Sequence, residues 1–132
     1  MADPTRKPSY QNLRAWKEAS DLVVLTYTTC AKHKRHLDQG LVDQIRRAAI
    51  SIPSNLAEGN GRGTNKDALR FLYIARGSLH ELEAQFEICR RMDFFSSAEA
   101  IRLLEQTSVV GRLIGGLIRY RKNRLEDETR SP

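Results

Sequence analysis

The sequence predicts an all-α protein, an antiparallel up-down-up-down four-helix bundle. Three observations predict it. Apolar residues recur at alternating spacings of three and four along four separate segments. The 132 residues include only 8 Gly and 4 Pro, too few turn formers for an all-β fold. The connections between segments are short and polar, which makes sequential neighbours antiparallel. The length fits one domain. Helices of roughly 20 to 28 residues would each be ~30–40 Å long.

Segment one covers residues 12–34, with Asn12 placed to cap its start. Leu13, Trp16, Ser20, Val23, Tyr27 and Cys30 form its expected core stripe. Residues 33–40 read as a polar loop. Segment two covers residues 41–59, and Ile45, Ala49, Ile52 and Leu56 form its stripe. Pro53 falls inside it and removes one backbone hydrogen bond. The apolar phase does not change across Pro53, so the helix is expected to run through it. Arg47, Ser51, Ser54, Asn55 and Glu58 make a small polar stripe on the opposite side. Gly59, Gly61 and Gly63 then end the helix, and tight-turn geometry accounts for them.

Segment three opens on Thr64 with Asp67 three residues on, a capping-box spacing. Ala68, Leu72, Ala75, Leu79, Leu82, Phe86 and Cys89 form the cleanest stripe in the chain. Phe71, Ile74 and Ile88 add apolar surface beside it. Segment four opens on Ser96 with Glu99, a second capping box, and runs to residue 124. Leu103, Val110 and Leu117 line one row, and Leu104, Ile114 and Ile118 the next. That face is broader than one core seam requires. Gly111 and Gly115 form a Gly-x-x-x-Gly pair with Gly116 beside it. Each costs about 1 kcal/mol relative to Ala, so a close helix crossing, within the bundle or between subunits, is expected there. The chain therefore divides into a disordered arm (1–10), the bundle (11–124) and a disordered charged tail (125–132).

Lys and Arg number 22 against 16 Asp and Glu, a net charge of +6 that attracts polyanions. The basic residues gather in two places. Arg112, Arg119, Arg121, Lys122 and Arg124 lie along the end of segment four, and Arg46, Arg47, Arg62, Lys66 and Arg70 surround the segment-two–three connection. A solvated face is the ordinary reading of such runs. Arg112, Arg119, Arg121, Lys122, Arg124, Arg62 and Lys66 are the candidates for phosphate contact. Aromatic residues among them are few, Tyr120 being the clearest, so base-specific reading is not expected.

Catalytic patterns are absent from the sequence. None of His33, His36 and His80 has a Glu three residues before it, as a di-iron bundle needs. Asp38 is the one carboxylate near the first two. Glu81, Glu83 and Glu87 read as a solvated face, with Glu87 able to pair with Arg90 or Arg91. Ser51 and Ser54 have no His nearby in sequence to act as base. The 59–63 turn precedes a helix N-terminus flanked by Arg62 and Lys66, a setting for an anion, but it lacks the Gly-Lys-Ser/Thr of a nucleotide-binding loop, so a nucleotide pocket is not expected there. No metal, no cofactor and no enzymatic activity are expected. Cys30 and Cys89 read as two reduced, buried thiols of a cytosolic protein. The polar opening residues with Pro4 and Pro8 do not read as a signal peptide. The longest apolar run, residues 113–118, is far below the ~20 residues of a membrane span, so no membrane partner is expected.

Two blocks carry a family resemblance. The first is Gln44-Ile45-Arg46-Arg47-Ala48-Ala49-Ile50-Ser51-Ile52-Pro53-Ser54-Asn55-Leu56-Ala57-Glu58-Gly59. The second is Phe71-Leu72-Tyr73-Ile74-Ala75-Arg76-Gly77-Ser78-Leu79-His80-Glu81-Leu82-Glu83, and Leu13-Arg14-Ala15-Trp16 adds a third, shorter likeness. Together they resemble the four-helix-bundle family encoded in intervening sequences of bacterial 23S ribosomal RNA genes. Accessory variability proteins of diversity-generating retroelements are similar to it. The resemblance spans residues 10–122. It implies a left-handed bundle that assembles into a ring-like homopentamer. It also implies RNA or DNA binding through basic surface, with a reverse transcriptase as a protein partner in the retroelement branch. Arg47, Ser51, Pro53, Ser54, Asn55, Glu58, Gly111 and Gly115 are then candidates for an oligomer interface or a structural motif. The expected function is a non-enzymatic, oligomeric nucleic-acid-binding protein. The alternative is a protein-interaction scaffold, and the third reading, an enzyme, requires an inward-facing cluster of ionisable residues.

Overall fold

A computed structural model of the protein describes residues 9–130. A short 3-10 turn, Ser9–Asn12, leads into four helices: α1 (Arg14–Lys32), α2 (Gln39–Asn60), α3 (Asn65–Arg91) and α4 (Ser97–Arg130). No strand occurs among the described residues. α1 and α3 each pack on both α2 and α4, and neither diagonal pair comes into backbone contact. This is a square bundle with up-down-up-down topology. Facing residues run in opposite order on neighbours: Ser51 of α2 meets Ser78 of α3, while Gly59 approaches Phe71.

Helix ends follow side-chain chemistry. Asp38 Oδ2 accepts the Leu41 N–H at 3.1 Å and starts α2, two residues earlier than the apolar pattern predicts. Thr64 Oγ1 accepts the Asp67 N–H at 3.1 Å and caps α3. Ser96 and Glu99 form a reciprocal capping box, Glu99 N–H to Ser96 Oγ at 3.2 Å and Ser96 N–H to Glu99 Oε1 at 3.0 Å. α3 ends with Asp93 at φ 57°, and the Phe94 N–H reaches back to the Cys89 carbonyl at 2.9 Å. That left-handed stop is one an Asp tolerates.

The core follows the stripes of α2, α3 and α4. Ile45, Ala49, Ile52 and Leu56 are buried, as are all seven stripe residues of α3. α2 runs unbroken through a buried Pro53. Leu103, Val110, Ile114 and Ile118 are buried on α4, with Leu104 and Leu117 partly buried against the same core. Burial of this kind, ~1.5–3 kcal/mol for each large apolar side chain, holds the bundle together.

The structure corrects the sequence reading in four places. On α1 the buried row is Ala15, Ala19, Leu22, Thr26 and Thr29, one residue out of phase with the expected stripe, of which only Cys30 is buried. Trp16 and Val23 pack on the flank, and Tyr27 is exposed. Small residues let α1 approach closely, and the Thr hydroxyls bond back to Leu22 and Leu25 carbonyls at 2.7 Å, which hides their polarity. Asn12 does not cap α1. It sits in the 3-10 turn, and extended Leu13 takes the cap position without a side-chain bond. No glycine has positive φ, so tight-turn geometry is not what the 59–63 glycines supply. A Cβ on Gly59 would lie 3.1 Å from Phe71 Cβ and 3.2 Å from the Ala68 carbonyl oxygen, so its role is close helix approach.

The fourth correction concerns the tail. α4 continues to Arg130, so residues 125–130 are helical rather than disordered. Leu125 packs against the core, and Glu128 accepts from Asn65 Nδ2 at the start of α3. These contacts supply what composition could not indicate. Residues 1–8 of the expected arm and residues 131–132 lie outside the described residues.

Two substitution pairs test this packing in denaturant melts. Leu79→Ala should cost roughly 2–5 kcal/mol and Thr64→Ala about 1 kcal/mol. On α1, Ala19→Leu should cost about 1–3 kcal/mol through overpacking, whereas Ser20→Leu should cost less than about 1 kcal/mol. The reverse order on α1 would restore the phase expected from sequence.

Candidate nucleic-acid interface

The C-terminal third of α4 is directed by its core side. Val110, Ile114 and Ile118 point inward, so Arg112 and Arg119, seven residues apart, point away from the core. Arg112, Arg119 and Lys122 are exposed, and none forms an ion pair with a described carboxylate. A Cβ on Gly115 would lie 3.4 Å from Arg119 Nη1, and one on Gly116 would lie 3.8 Å from Nη2. The guanidinium thus rests over bare backbone. Tyr120 is exposed, with the Arg124 and Arg121 guanidinium carbons 5.5 and 5.9 Å from its ring centre. Arg121 itself turns toward α3 and donates to Asn65 Oδ1 at 2.9 Å. It is half-buried and serves the fold.

The close crossing suggested by the Gly-x-x-x-Gly pair occurs at one of its members. A Cβ on Gly111 would lie 3.3 Å from Leu79 Cδ2 of α3, so that glycine admits a neighbouring helix. Gly115 instead lies beneath the Arg119 side chain, where a Cβ would make an ordinary contact.

The α2–α3 corner has a different character. Arg62 Nη2 lies 3.1 Å from Glu58 Oε2, and its Nε lies 3.6 Å from Asp67 Oδ2. Arg70 Nη2 lies 3.2 Å from Asp67 Oδ1. Both guanidinium carbons sit close over the Phe71 ring, at 4.5 and 4.4 Å from its centre. Two carboxylates and one ring therefore hold this pair of arginines. Lys66 is exposed beside them.

The small polar stripe of α2 works largely within the chain. Ser51 Oγ and Ser78 Oγ share a hydrogen bond of 2.8 Å across the α2–α3 seam. Asn55 Nδ2 donates to the Ser51 carbonyl at 2.8 Å and to Ser51 Oγ at 3.0 Å. Pro53 faces α1, lining a shallow groove with Trp16, Val23 and Ile50. Arg47 and Ser54 are exposed and border a wider groove of about 820 Å³ with Tyr27, Arg46 and Ile50.

The opposite end of the bundle holds a polar cluster that sequence reasoning missed. His33 Nε2 donates to Glu99 Oε1 at 2.8 Å, and Lys32 Nζ lies 3.7 Å from Glu99 Oε2. The Phe95 ring packs 5.7 Å from the His33 ring. Burial alone would push the Glu99 carboxyl up. The Ser96 N–H and hydroxyl and His33 overcome that and hold it at about 2. The only signal was the Ser96–Glu99 cap, because a contact 66 residues away leaves no local pattern. A further tie, Gln106 Nε2 to the Glu18 carbonyl at 2.9 Å, joins α4 to α1.

Burial pushes the Cys30 thiol up and the Cys89 thiol up to about 11, so neither is poised as a thiolate. Glu87 pairs with Arg90 at 3.0 Å and lies 3.7 Å from Arg91. Among the described residues no group of three or more His, Cys, Asp or Glu could hold a metal ion. No helix there is long and apolar enough to cross a membrane.

The family model described as 23S rRNA-intervening sequence protein matches residues 11–116. A crystal structure of a protein with unknown function from the S23 ribosomal protein family, from Bacteroides thetaiotaomicron VPI-5482, is similar in fold. It superposes with a TM-score of 0.72 at 18% identity, over 80% of this chain and 95% of that one. No curated protein matches the chain.

The Glu99 cluster gives a pH dependence of stability. Its carboxyl titrates at about 2 when folded against the ordinary 4.5, so its contribution is full above about pH 4.5 and is lost as pH falls toward 2. Glu99→Gln should cost about 1–3 kcal/mol near pH 7 in denaturant melts. The gap to the wild type should shrink as pH falls from about 4.5 toward 2. A gap that stays constant across that range contradicts the assignment.

Proposed function

The chain belongs to the 23S rRNA-intervening sequence protein family, and on that premise we propose that it is a non-enzymatic, self-associating bundle that binds nucleic acid through α4. One observation carries the reading. Arg112, Arg119 and Lys122 project from one rigid helix without an ion-paired carboxylate, whereas Arg62 and Arg70 are neutralised by Glu58 and Asp67. Unpaired guanidinium and ammonium groups at fixed spacing suit phosphates along a backbone and carry no base readout. Arg124 and the Tyr120 ring extend the surface, and Lys66 adds charge at the neighbouring corner.

Self-association is supported by a different face from the one the sequence suggested. Leu104, Leu113 and Leu117 of α4 pack against their own core, Ser51 bonds to Ser78 of its own chain, and Asn55 bonds to Ser51. α3 instead exposes Ile74 at 43% and Ile88 at 48%, with Gly77 and Ala84 exposed between them. Glu81 is exposed at the middle of the same face, so the apolar surface falls in two patches, and such patches are what copies of the chain would cover. In a homopentamer each basic surface appears five times, which favours polyanions through multivalency. A cytoplasmic setting fits both this function and the reduced cysteines.

Two measurements test the reading. Light scattering at micromolar concentration should give about five times 15.1 kDa, and Ile74→Glu with Ile88→Glu should lower it. A monomer at every concentration contradicts self-association. RNA or DNA binding should fall steeply with salt, with a slope of about −0.9 per phosphate neutralised on duplex DNA. Arg119→Glu with Lys122→Glu should weaken it at least tenfold without loss of helical circular dichroism. No binding at ~50 mM salt, where electrostatic attraction is strong, would turn the assignment to a protein-binding scaffold.

A further inference from the structure

We infer that the α1–α2 groove is a second phosphate site, separate from α4, which seats one nucleotide of a single strand: Arg46 and Arg47 hold the phosphodiester, Ser54 donates to it, and Tyr27 and Ile50 receive the base. This rests on the reading that the protein binds nucleic acid. Arg46, Arg47, Ser54, Tyr27 and Ile50 all line the same open groove of about 820 Å³, large enough for one nucleotide unit.

The groove holds donors without matching acceptors. Asp43 is its one carboxylate, and its spacing of three and four to Arg46 and Arg47 is the spacing of helical ion pairs. Asp43 Oδ1 instead accepts from Gln39 Nε2 at 2.8 Å. Neither arginine forms an ion pair with a described carboxylate. Arg46 Nε is also buried with no hydrogen-bond partner, an arrangement native proteins rarely leave unmet. Ser51 and Asn55 satisfy one another and Ser78, so they do not quench the arginines.

Arg46 is also preorganised. The Arg46 guanidinium carbon sits 5.0 Å from the Tyr27 ring centre, which fixes the fork against an aromatic wall. A guanidinium fork matches the two free oxygens of a phosphodiester. Tyr27 and Ile50 remain exposed beside it and offer a base a flat apolar surface. An acidic protein segment, including one from a second copy, would use the charge but not the ring.

Fluorescence anisotropy with a single-stranded RNA 12-mer and the full chain tests the site. Arg46→Gln with Arg47→Gln should weaken binding about tenfold and reduce the salt slope by about 0.7 for each phosphate that is no longer neutralised. Tyr27→Ala should weaken it at least fivefold and leave the salt slope unchanged. Arg46→Lys with Arg47→Lys should keep the slope but lower the affinity, since the charge remains and the fork is gone. Circular dichroism and light scattering accompany each variant. Wild-type affinity and slope in the Gln pair, beside abolished binding on α4 reversal, would overturn this site and leave the α4 reading standing. A fall in oligomer mass in the Gln pair would mark an interface between copies and overturn it. Adenosine 5′-monophosphate binding as tightly as the 12-mer would make the occupant a free nucleotide and overturn the strand assignment. Absence of RNA binding by the wild type would remove both sites together.

Discussion

The close fit of α2 against α3 is the constraint on which the other contacts depend. At one end Gly59 lets the helices approach so closely that an added Cβ would lie 3.1 Å from Phe71 Cβ and crowd it. Farther along, Ser51 and Ser78 meet hydroxyl to hydroxyl, a contact that only small side chains allow. With that spacing set, Ile45, Ile52 and Leu56 join Leu72, Leu79 and Leu82 in one core. α1 closes over it with Ala15 and Ala19, and α4 closes over it where Gly111 meets Leu79. Wider separation of α2 and α3 would disturb the α4 contact at Leu79 and the Asn65–Arg121 bond together. The direction of the α4 arginines follows from this packing.

Polar contacts at the rim then fix the register of the outer helices. Glu99 ties α4 to His33 at one end, and Asn65 ties α3 to Arg121 and Glu128 at the other. Gln106 bonds to Glu18 between them. These links hold α4 in place over 34 residues, about 51 Å at the helical rise. Charges on such a helix keep fixed spacing. With a screening length of roughly 8–10 Å at ordinary ionic strength, the local pairing of each charge matters more than the net charge. The bundle neutralises its α2–α3 corner and leaves the α4 surface and the Arg46–Arg47 pair open.

Much of the fold is legible because it is written in local periodicity. The α3 stripe from Ala68 to Cys89, the capping box at Ser96, the cap at Thr64 (without the reciprocal bond from Asp67, whose carboxylate is taken by Arg62 and Arg70) and the continuity of α2 through Pro53 all follow from spacing along one helix. α1 misleads because two adjacent rows compete there. The larger side chains of Trp16, Val23 and Tyr27 mark the flank, while Ala and self-bonded Thr fill the seam. The helical end of α4 escapes a sequence reading because Leu125 and Glu128 gain their partners only from the folded bundle. The candidate site is legible as composition, since the basic clusters stand out in sequence. Which arginines are held by Glu58, Asp67, Asn65 or Phe71 is not, because those pairings depend on how helix ends meet.

The most direct test of the central claim maps where nucleic acid touches the folded protein. Backbone amide hydrogen exchange of the full chain, with and without single-stranded RNA at low salt, resolves this by helix. The account predicts added protection within residues 112–124 of α4, with a second patch over residues 46–55 of α2, and little change at the α3 patches around Ile74 and Ile88. Protection confined to the α3 patches, or none at any salt concentration, would contradict it.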